Sequence, residues 1–370
     1  MMKPKISIIM PCYNRGHELT RVLRAYDAQD FGRPFELIAI DDGSTDNTLQ
    51  VLQSYRPTQY TLRAERQPTN QGPAAARNRG LALAQSPLIL FVGDDILPSP
   101  SFVRRHVEAH RERPDPHVAI LGHIKWADDL PQNTLMKHID GIGAQQFSYH
   151  YLQSGQEYDY RHFYTANISL KRALLLSEPV WFDTSFPYAA FEDVELAYRL
   201  AKRGLRIIYL KHLTCQHYHY HTIWSFARRQ YQAGRMAWHL IRKHPPTARH
   251  ILRLRPLMNA LLTSRKLSRT SERTEPESVE ETALHLASFY EWSPNPLLDT
   301  LYLNVLDYFY CKGILQELTG NHFPQRWPSA HEALVRHHLI PALQRFIQRA
   351  LALKIPLPLH EIRPHLLNAS

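Results

Sequence analysis

The sequence predicts an α/β fold, a Rossmann-like, mainly parallel sheet flanked by helices, with an appended and mostly α-helical C-terminal region. Three observations lead there. Over the first hundred residues, short aliphatic runs alternate with stretches of 3.6-residue periodicity. Polar and acidic residues gather where the aliphatic runs end. From about residue 222 the signals turn helical and basic.

Taken in order, "KISIIM" and "FELIAI" are aliphatic runs of the kind a sheet covered on both faces requires. Between them Leu19, Val22, Leu23 and Tyr26 fall on one helical face. Asp46 or Ser44 can cap a second helix holding Leu49 and Leu52. A third strand is expected at "YTLRAER", a third helix at "PAAARNRGLALAQ" and a fourth strand at "PLILFV". Strand and helix in alternation imply right-handed crossovers and a parallel sheet. Past residue 115 the rhythm loosens: a strand "HVAILGHIKW", a polar and aromatic stretch to about 165, a helix "EDVELAYRLAKRG" and a strand "LRIIYL". "SRTSERTEPESVEE" reads as an exposed linker or long loop, and "PLLDTLYLNVLDYFYCKGILQEL", broken by Asp299, Asn304 and Asp307, as a buried helix rather than a membrane span.

Composition narrows the function. Apolar content of 44% and charged content of 21% exclude disorder as the default. The net charge of +10 favours polyanions, anionic lipid or phosphorylated ligands without choosing among them. Cys12, Cys215 and Cys311 form neither a CxxC pair nor an even framework, and no signal-peptide core follows the first residues, so a reducing cytoplasm is the expectation.

In an open α/β sheet, ligands bind outside the carboxyl ends of the strands. Pro11 and Tyr13 follow the first strand, "DDGSTDN" the second, and Asp94-Asp95 the fourth, so these clusters should converge on one crevice. Adjacent aspartates at the end of a buried strand repel unless a cation or donors compensate them, and a hard divalent ion held with substrate phosphates fits. Asp41 and Asp42 could be plain turn residues, but their position suits hydrogen bonds to a base or ribose. Arg77 could offset the acids and touch a diphosphate. No GxxxxGK[ST] loop is present, which argues against an ATPase. Glu192 and Asp193 open a helix, where the macrodipole alone would justify acids and where a general base could equally sit. His217, His219 and His221 alternate, hence share a face if extended, and suit a metal.

With these residues in view the chain resembles the inverting, nucleotide-sugar-dependent glycosyltransferases of family 2, with the GT-A fold. The similarity runs through "SIIMPCYNRGHEL", "IAIDDGSTDNT", "NQGPAAARNRG", "ILFVGDDILPSPSFV", "NISLKRALL", "FEDVELAYRLAKRG" and "HYHYHTIWSFARRQYQAG", in the family's order and over roughly the first 235 residues. It implies that Pro11 and Tyr13 line a base pocket, that Asp41 reads uracil with Asp42 nearby, and that Arg77 lies near the diphosphate. It further implies that Asp95 binds a Mn²⁺ or Mg²⁺ ion, with His217 or His219 completing the shell, that Asp94 approaches the ribose or metal, and that Asp193 of the Glu192-Asp193 pair is the base. One departure stands out: the position two before Asp95 is Gly93, not aspartate, so the DxD motif is incomplete.

The expected organisation is therefore a glycosyltransferase domain over 1–235, with a nucleotide-binding half (1–115) and an acceptor and catalytic half (116–235), then a helical region over 236–370. The expected donor is a UDP-sugar and the expected acceptor a carbohydrate or lipid-linked hydroxyl. A nucleotidyltransferase and a non-catalytic nucleotide-sugar or glycan binder are the alternatives. No nucleic-acid motif is found. The basic residues Arg228, Arg229, Arg235, Arg242 and Lys243, interleaved with Trp224, Phe226, Tyr231 and Trp238, and a second basic stretch "RHILRLRPLMNALLTSRKLSR", are either solvated helix faces or a surface for anionic lipid at the cytoplasmic face of a membrane.

Overall fold

The computed structural model describes residues 3–143, 145–251, 275–319 and 328–367. Two compact units emerge, one of residues 1–130 with 147–219, the other of 131–146 with 220–370. The sequence reading put the boundary at 235/236. The helix Ile223–Lys243 belongs to the second unit because it packs along the helix Leu298–Thr319, where Gly234 and Gly313 each let the other helix's backbone approach. A Cβ on Gly234 would stand 1.9 Å from the Tyr310 carbonyl oxygen, and one on Gly313 2.0 Å from that of Tyr231.

Among the described residues the first unit holds nine strands: β1 (Ser7–Cys12), β2 (Glu36–Asp41), β3 (Thr61–Arg66), β4 (Leu88–Val92), β5 (Ile96–Pro98), β6 (Val118–Trp126), β7 (Glu157–Tyr158), β8 (Asn167–Lys171) and β9 (Arg206–His217). Their order is β3-β2-β1-β4-β8-β6-β9-β5, with β7 also paired to β9. The run β3-β2-β1-β4 is parallel and so is β6-β9; β8 runs antiparallel between β4 and β6, and β5 and β7 run antiparallel to β9. The sheet is thus mixed and mostly parallel, flanked by helices, as the sequence predicts.

Helices α1 (Gly16–Asp27), α2 (Thr48–Ser54), α3 (Pro73–Leu83) and α4 (Phe102–Glu112) follow β1, β2, β3 and β5. Leu19, Val22, Leu23 and Tyr26 form the buried face of α1, as their spacing requires. Asp46, one of the two expected caps, serves two helices: one carboxylate oxygen accepts from the Thr48 N–H and the other from the Gly16 N–H, both at 3.0 Å. The small residues of α3 allow close packing on the sheet, since a Cβ on Gly80 would come within 2.5 Å of Ile9 Cγ2.

Several strands differ from the sequence reading: the short β5 and β7 carry no prediction, and β8 and β9 differ for physical reasons. "NISLK" carries no strand signal of its own, yet becomes β8 because it closes the gap between β4 and β6. β9 continues seven residues past "LRIIYL" because β5 and β6 supply partners to its end. Across the β6–β9 ladder the register jumps: Leu210 faces Gly122, but Thr214 faces His123. This bulge advances β9, so that His217 faces Trp126 on one side and Ile96, the neighbour of Asp95, on the other.

The second unit is helical. Its helix Leu298–Thr319 buries Leu301, Tyr302, Val305, Leu306, Tyr308, Cys311, Ile314 and Leu315, as expected of a core helix. No helix among the described residues is long and apolar enough to cross a membrane. The expected linker 268–281 is in part a helix: Pro276 starts the helix Pro276–Phe289 with Glu277 in its first turn, while 268–274 lie outside the described residues. Of the basic and aromatic set, Phe226 is buried and Arg235 pairs with Glu317 at 2.6 Å, whereas Trp224, Arg228, Arg242 and Lys243 are exposed. Most of the second basic stretch, from 252 onward, lies outside the described residues.

Candidate active site

The site lies in the first unit, where β1, β2 and β4 end side by side. Cys12 on β1 is in register with Asp41 on β2, and the chain leaving β1 meets the chain leaving β4: the Tyr13 N–H donates to Asp94 Oδ2 at 3.1 Å. Asn14, in the left-handed region at φ 52°, turns the chain between Tyr13 and Arg15; asparagine tolerates this conformation, and its Oδ1 accepts from the Thr45 N–H at 2.8 Å. Asp94 and Asp95, Tyr13, and the acids after β2 thus share one sheet edge.

Asp95 is the hub. His217 Nε2 lies 3.3 Å from its Oδ2 and His219 Nδ1 lies 3.3 Å from the same oxygen. The donor atoms of Asp95, His217 and His219 fall within 4.8 Å of one another, and a carboxylate with two imidazoles is a set that can hold a divalent ion. Only two of the three alternating histidines join it, because β9 ends at His217 and the chain leaves extended pairing; His221 belongs to the second unit, its ring 5.0 Å from that of Phe226. Gly93 has a steric role: a Cβ there would lie 2.8 Å from Asp95 Oδ1. The missing first acid of the motif therefore leaves space that the Asp95 carboxylate uses.

Electrostatics separate the two adjacent aspartates. Burial and the charge of Asp95 push Asp94 up to about 7, against Arg15. Burial acts on Asp95 too, but His217, with Arg15, holds it well below the usual carboxylate range.

Residues after β2 divide. Asp41 is fully buried, with Oδ1 accepting from the Ser44 N–H at 3.1 Å and Oδ2 making no hydrogen bond, the Arg66 Nε being 3.5 Å away. Asp42, expected at a base or ribose, instead accepts from the Gln67 side chain and from the N–H groups of Gln71 (2.8 Å) and Gly72 (2.9 Å). It fixes the turn into α3, where Gly72 adopts φ 87°. Arg77, expected at a diphosphate, is buried and donates to Glu192 at 2.8 Å. Its Nε and the second Glu192 oxygen make no hydrogen bond.

Glu192 and Asp193 begin the helix Glu192–Ala201 behind Phe191, which holds φ 66°. A left-handed phenylalanine costs on the order of 1–2 kcal/mol, and here it turns the chain so that both acids stand at the helix mouth. Asp193 is half-buried; burial and the charge of Glu192 push it up to about 7, against Arg77 and the N–H groups of Val194 and Thr165. Aromatic rings run from the Asp95, His217 and His219 cluster towards Asp193. The Phe147 ring lies 6.3 Å from His217 and 5.2 Å from Tyr164, the residue before Thr165.

Sequence reasoning missed two residues. Arg15 has its guanidinium between the two aspartates and His219. Its only signal was its place directly after the first strand. Asn167, fully buried on β8, donates to the carbonyls of Leu213 (3.0 Å) and His123 (3.1 Å) at the β9 bulge and accepts from His106 Nε2 at 3.0 Å. Its Nδ2 must face the carbonyls, because the reverse orientation would oppose oxygen to oxygen. Gly122 leaves room, since a Cβ there would stand 2.3 Å from that nitrogen. Asn167 thus pins the bulge that sets the register of His217.

Residues 7–176 match the model for Glycosyl transferase family 2. Among curated proteins the chain is 28% identical over 227 residues to a validoxylamine A glucosyltransferase of Streptomyces hygroscopicus subsp. jinggangensis, covering 55% of this chain and 52% of that protein. It is 39% identical over 93 residues to the poly(ribitol-phosphate) beta-N-acetylglucosaminyltransferase TarS of Staphylococcus aureus, covering 25% and 16%. The chain spans about half the length of the first of these, and less of the second. Among solved structures, S. aureus TarS 1–349 in complex with UDP superposes with a TM-score of 0.49 at 19% identity, covering 88% of this chain and 92% of that one.

Proposed function

We propose, from the premise that this chain belongs to glycosyl transferase family 2 through residues 7–176, that it transfers a sugar from a UDP-sugar to an acceptor hydroxyl with inversion at the anomeric carbon. The observation that carries the reading is the convergence, at one sheet edge, of a candidate cation-binding set at Asp95, His217 and His219 with a buried Asp41 oxygen that faces Arg66 at 3.5 Å but accepts no hydrogen bond. A carboxylate oxygen without a hydrogen bond suits an N–H donor, and the imide N–H of uracil supplies one. Pro11 and Tyr13 wall the base on the β1 side, and Asp94 is assigned to the ribose or to the ion.

Asp95, His217 and His219 would hold a divalent ion, which when bound neutralises charge developing on the leaving diphosphate. Two imidazoles favour Mn²⁺ over Mg²⁺, which prefers oxygen ligands. Asp193 is the base: with a pKa raised to about 7 it is poised to accept the proton of an attacking hydroxyl near neutral pH. Glu192, held by Arg77, keeps that pKa raised and fixes the helix mouth, so Arg77 acts on the base instead of the diphosphate.

Thermal shift with a panel of nucleotide sugars, with and without Mn²⁺, tests the donor. Stabilisation by UDP-sugars that Mn²⁺ enhances is expected, and Asp95→Ala should abolish the enhancement. Turnover releasing nucleoside diphosphate supports the transferase. Release of pyrophosphate would make the protein a nucleotidyltransferase, and binding without turnover a non-catalytic binder. A lipid-linked or carbohydrate acceptor, and contact of the exposed Trp224, Arg228, Arg242 and Lys243 with anionic membrane, belong to the same proposal. Sedimentation that is equally negligible with anionic and neutral vesicles would remove the membrane contact.

A further inference from the structure

The cation-binding set already has a cation against it. The side chain of Arg15 is 19% exposed, and its guanidinium makes four hydrogen bonds, three of them to the site. Nε donates to Asp94 Oδ1 at 3.3 Å, Nη1 to Glu18 Oε2 at 3.3 Å, and Nη2 both to Asp95 Oδ2 at 3.0 Å and to His219 Nδ1 at 2.8 Å. Nη2 therefore touches two of the three atoms that would ligate a metal. A guanidinium has no lone pair to offer, so His219 Nδ1 must be the acceptor: its lone pair, the one a metal would need, faces Arg15. Asp94, Asp95 and His219 close on Arg15 as they would on an ion.

A second observation points the same way. The motif position that would bring another carboxylate is Gly93, so Asp94 and Asp95 are the only acids that "GDD" supplies, and Arg15 offsets one of their charges. A site with one acid fewer and a resident cation attracts a free divalent ion weakly, because a fixed positive charge a few ångströms from an incoming ion repels it strongly in a partly buried setting. A diphosphate changes the balance, since its oxygens are bidentate partners for arginine and ligands for the ion at once.

We propose that Arg15 is the resident counter-ion of the donor site: it holds the cation position at Asp95 and His219 while the site is empty, and transfers to the diphosphate when nucleotide and divalent ion enter together. The inference rests on the donor reading above and adds an order of loading to it. Ion binding is weak without nucleotide and strong with it, and by linkage each raises the other's affinity by the same factor.

The test is Mn²⁺ binding to the full chain, read as free Mn²⁺ by electron paramagnetic resonance, with and without UDP and with no turnover involved. Wild type should bind Mn²⁺ alone weakly and at least tenfold more tightly with UDP. Arg15→Gln, or Arg15→Met as a second neutral variant of similar size, should bind Mn²⁺ alone at least tenfold more tightly than wild type, and its gain from UDP should shrink by the same factor. Arg15→Lys, which keeps the charge, should bind Mn²⁺ alone as weakly as wild type. With folding checked by circular dichroism, neutral variants that bind Mn²⁺ no more tightly than wild type would overturn the proposal. So would a lysine variant that behaves like them. In both cases UDP binding by wild type stays intact. Wild type that binds neither UDP nor Mn²⁺ would sink the donor reading itself, and this inference with it.

Discussion

Two carboxylates drawn away from water, one in each unit, have opposite fates. Glu280, in the helical unit, is buried, yet its pKa is lowered to about 2, because His331 at 2.8 Å, Lys312 at 2.6 Å and the Tyr308 hydroxyl outweigh the burial. Asp193, in the sheet unit, sits at a helix mouth beside a second acid and is pushed up to about 7. Glu280 is surrounded by donors and has no proton to exchange near neutral pH; its work is structural. Asp193 is held short of compensation, which is how a group is kept available for proton transfer. Burial by itself indicates nothing about an acid; what surrounds it decides whether its charge is compensated.

The largest effect should come from breaking the functional side. Asp193→Asn should lower transfer by about 10²–10⁴-fold with donor binding nearly unchanged, measured as kcat and donor Kd. Wild-type kcat/KM should fall about tenfold per pH unit below about 7 and level off above it. The sign for stability is the reverse. A carboxyl raised from 3.8 to about 7 contributes stability in its protonated form, which is lost as pH rises through 7. Asp193→Asn should therefore melt higher than wild type at pH 8 and level with it near pH 4. Near-normal transfer would move the base to Glu192.

The structural side should break differently. Glu280→Gln leaves Lys312 and His331 facing an uncharged amide and should cost about 3–5 kcal/mol in denaturant unfolding, with UDP binding by the sheet unit retained. The loss should be present above pH 4.5 and vanish as acid protonates wild-type Glu280, approaching its pKa of about 2. Loss of UDP binding in a folded Glu280 variant would blur the distinction.

Two smaller changes sharpen it. Asn167→Ala removes the amide that satisfies the bulge carbonyls and His106, and should cost about 2 kcal/mol. Because that bulge sets the register of His217, Mn²⁺-supported UDP binding should weaken more than UDP binding alone; equal loss in both would make Asn167 a stability residue only. Gly93→Ala places a methyl 2.8 Å from Asp95 Oδ1 and should weaken Mn²⁺-supported UDP binding by about tenfold, with the melting temperature nearly unchanged.

Much of the sheet was legible. β1, β2 and β4 announce themselves as aliphatic runs, α1 by its period and α3 by Gly72-Pro73 and its small residues, and β9 begins where "LRIIYL" says. β8 was not, because a five-residue strand inserted antiparallel between two others is defined by its neighbours. Asp94, Asp95 and Asp41 could be placed at one edge because a parallel sheet puts every strand's carboxyl end on the same side. The partners of Arg77 and Asp42 within the chain, Glu192 for Arg77 and the turn before α3 for Asp42, carry no signal in the sequence.

What the sequence alone determined is everything that follows from local periodicity and from order along the chain: the alternation of strand and helix, the polar strand ends, and the acids at the mouth of the helix Glu192–Ala201. What only the tertiary structure decided is pairing across long separations. Arg15 meets His219 across 204 residues, Arg77 meets Glu192 across 115, and a bulge pinned by Asn167 sets His217 beside Asp95. Charges pick their partners by distance in space, and a one-dimensional pattern carries no distance between residues that far apart.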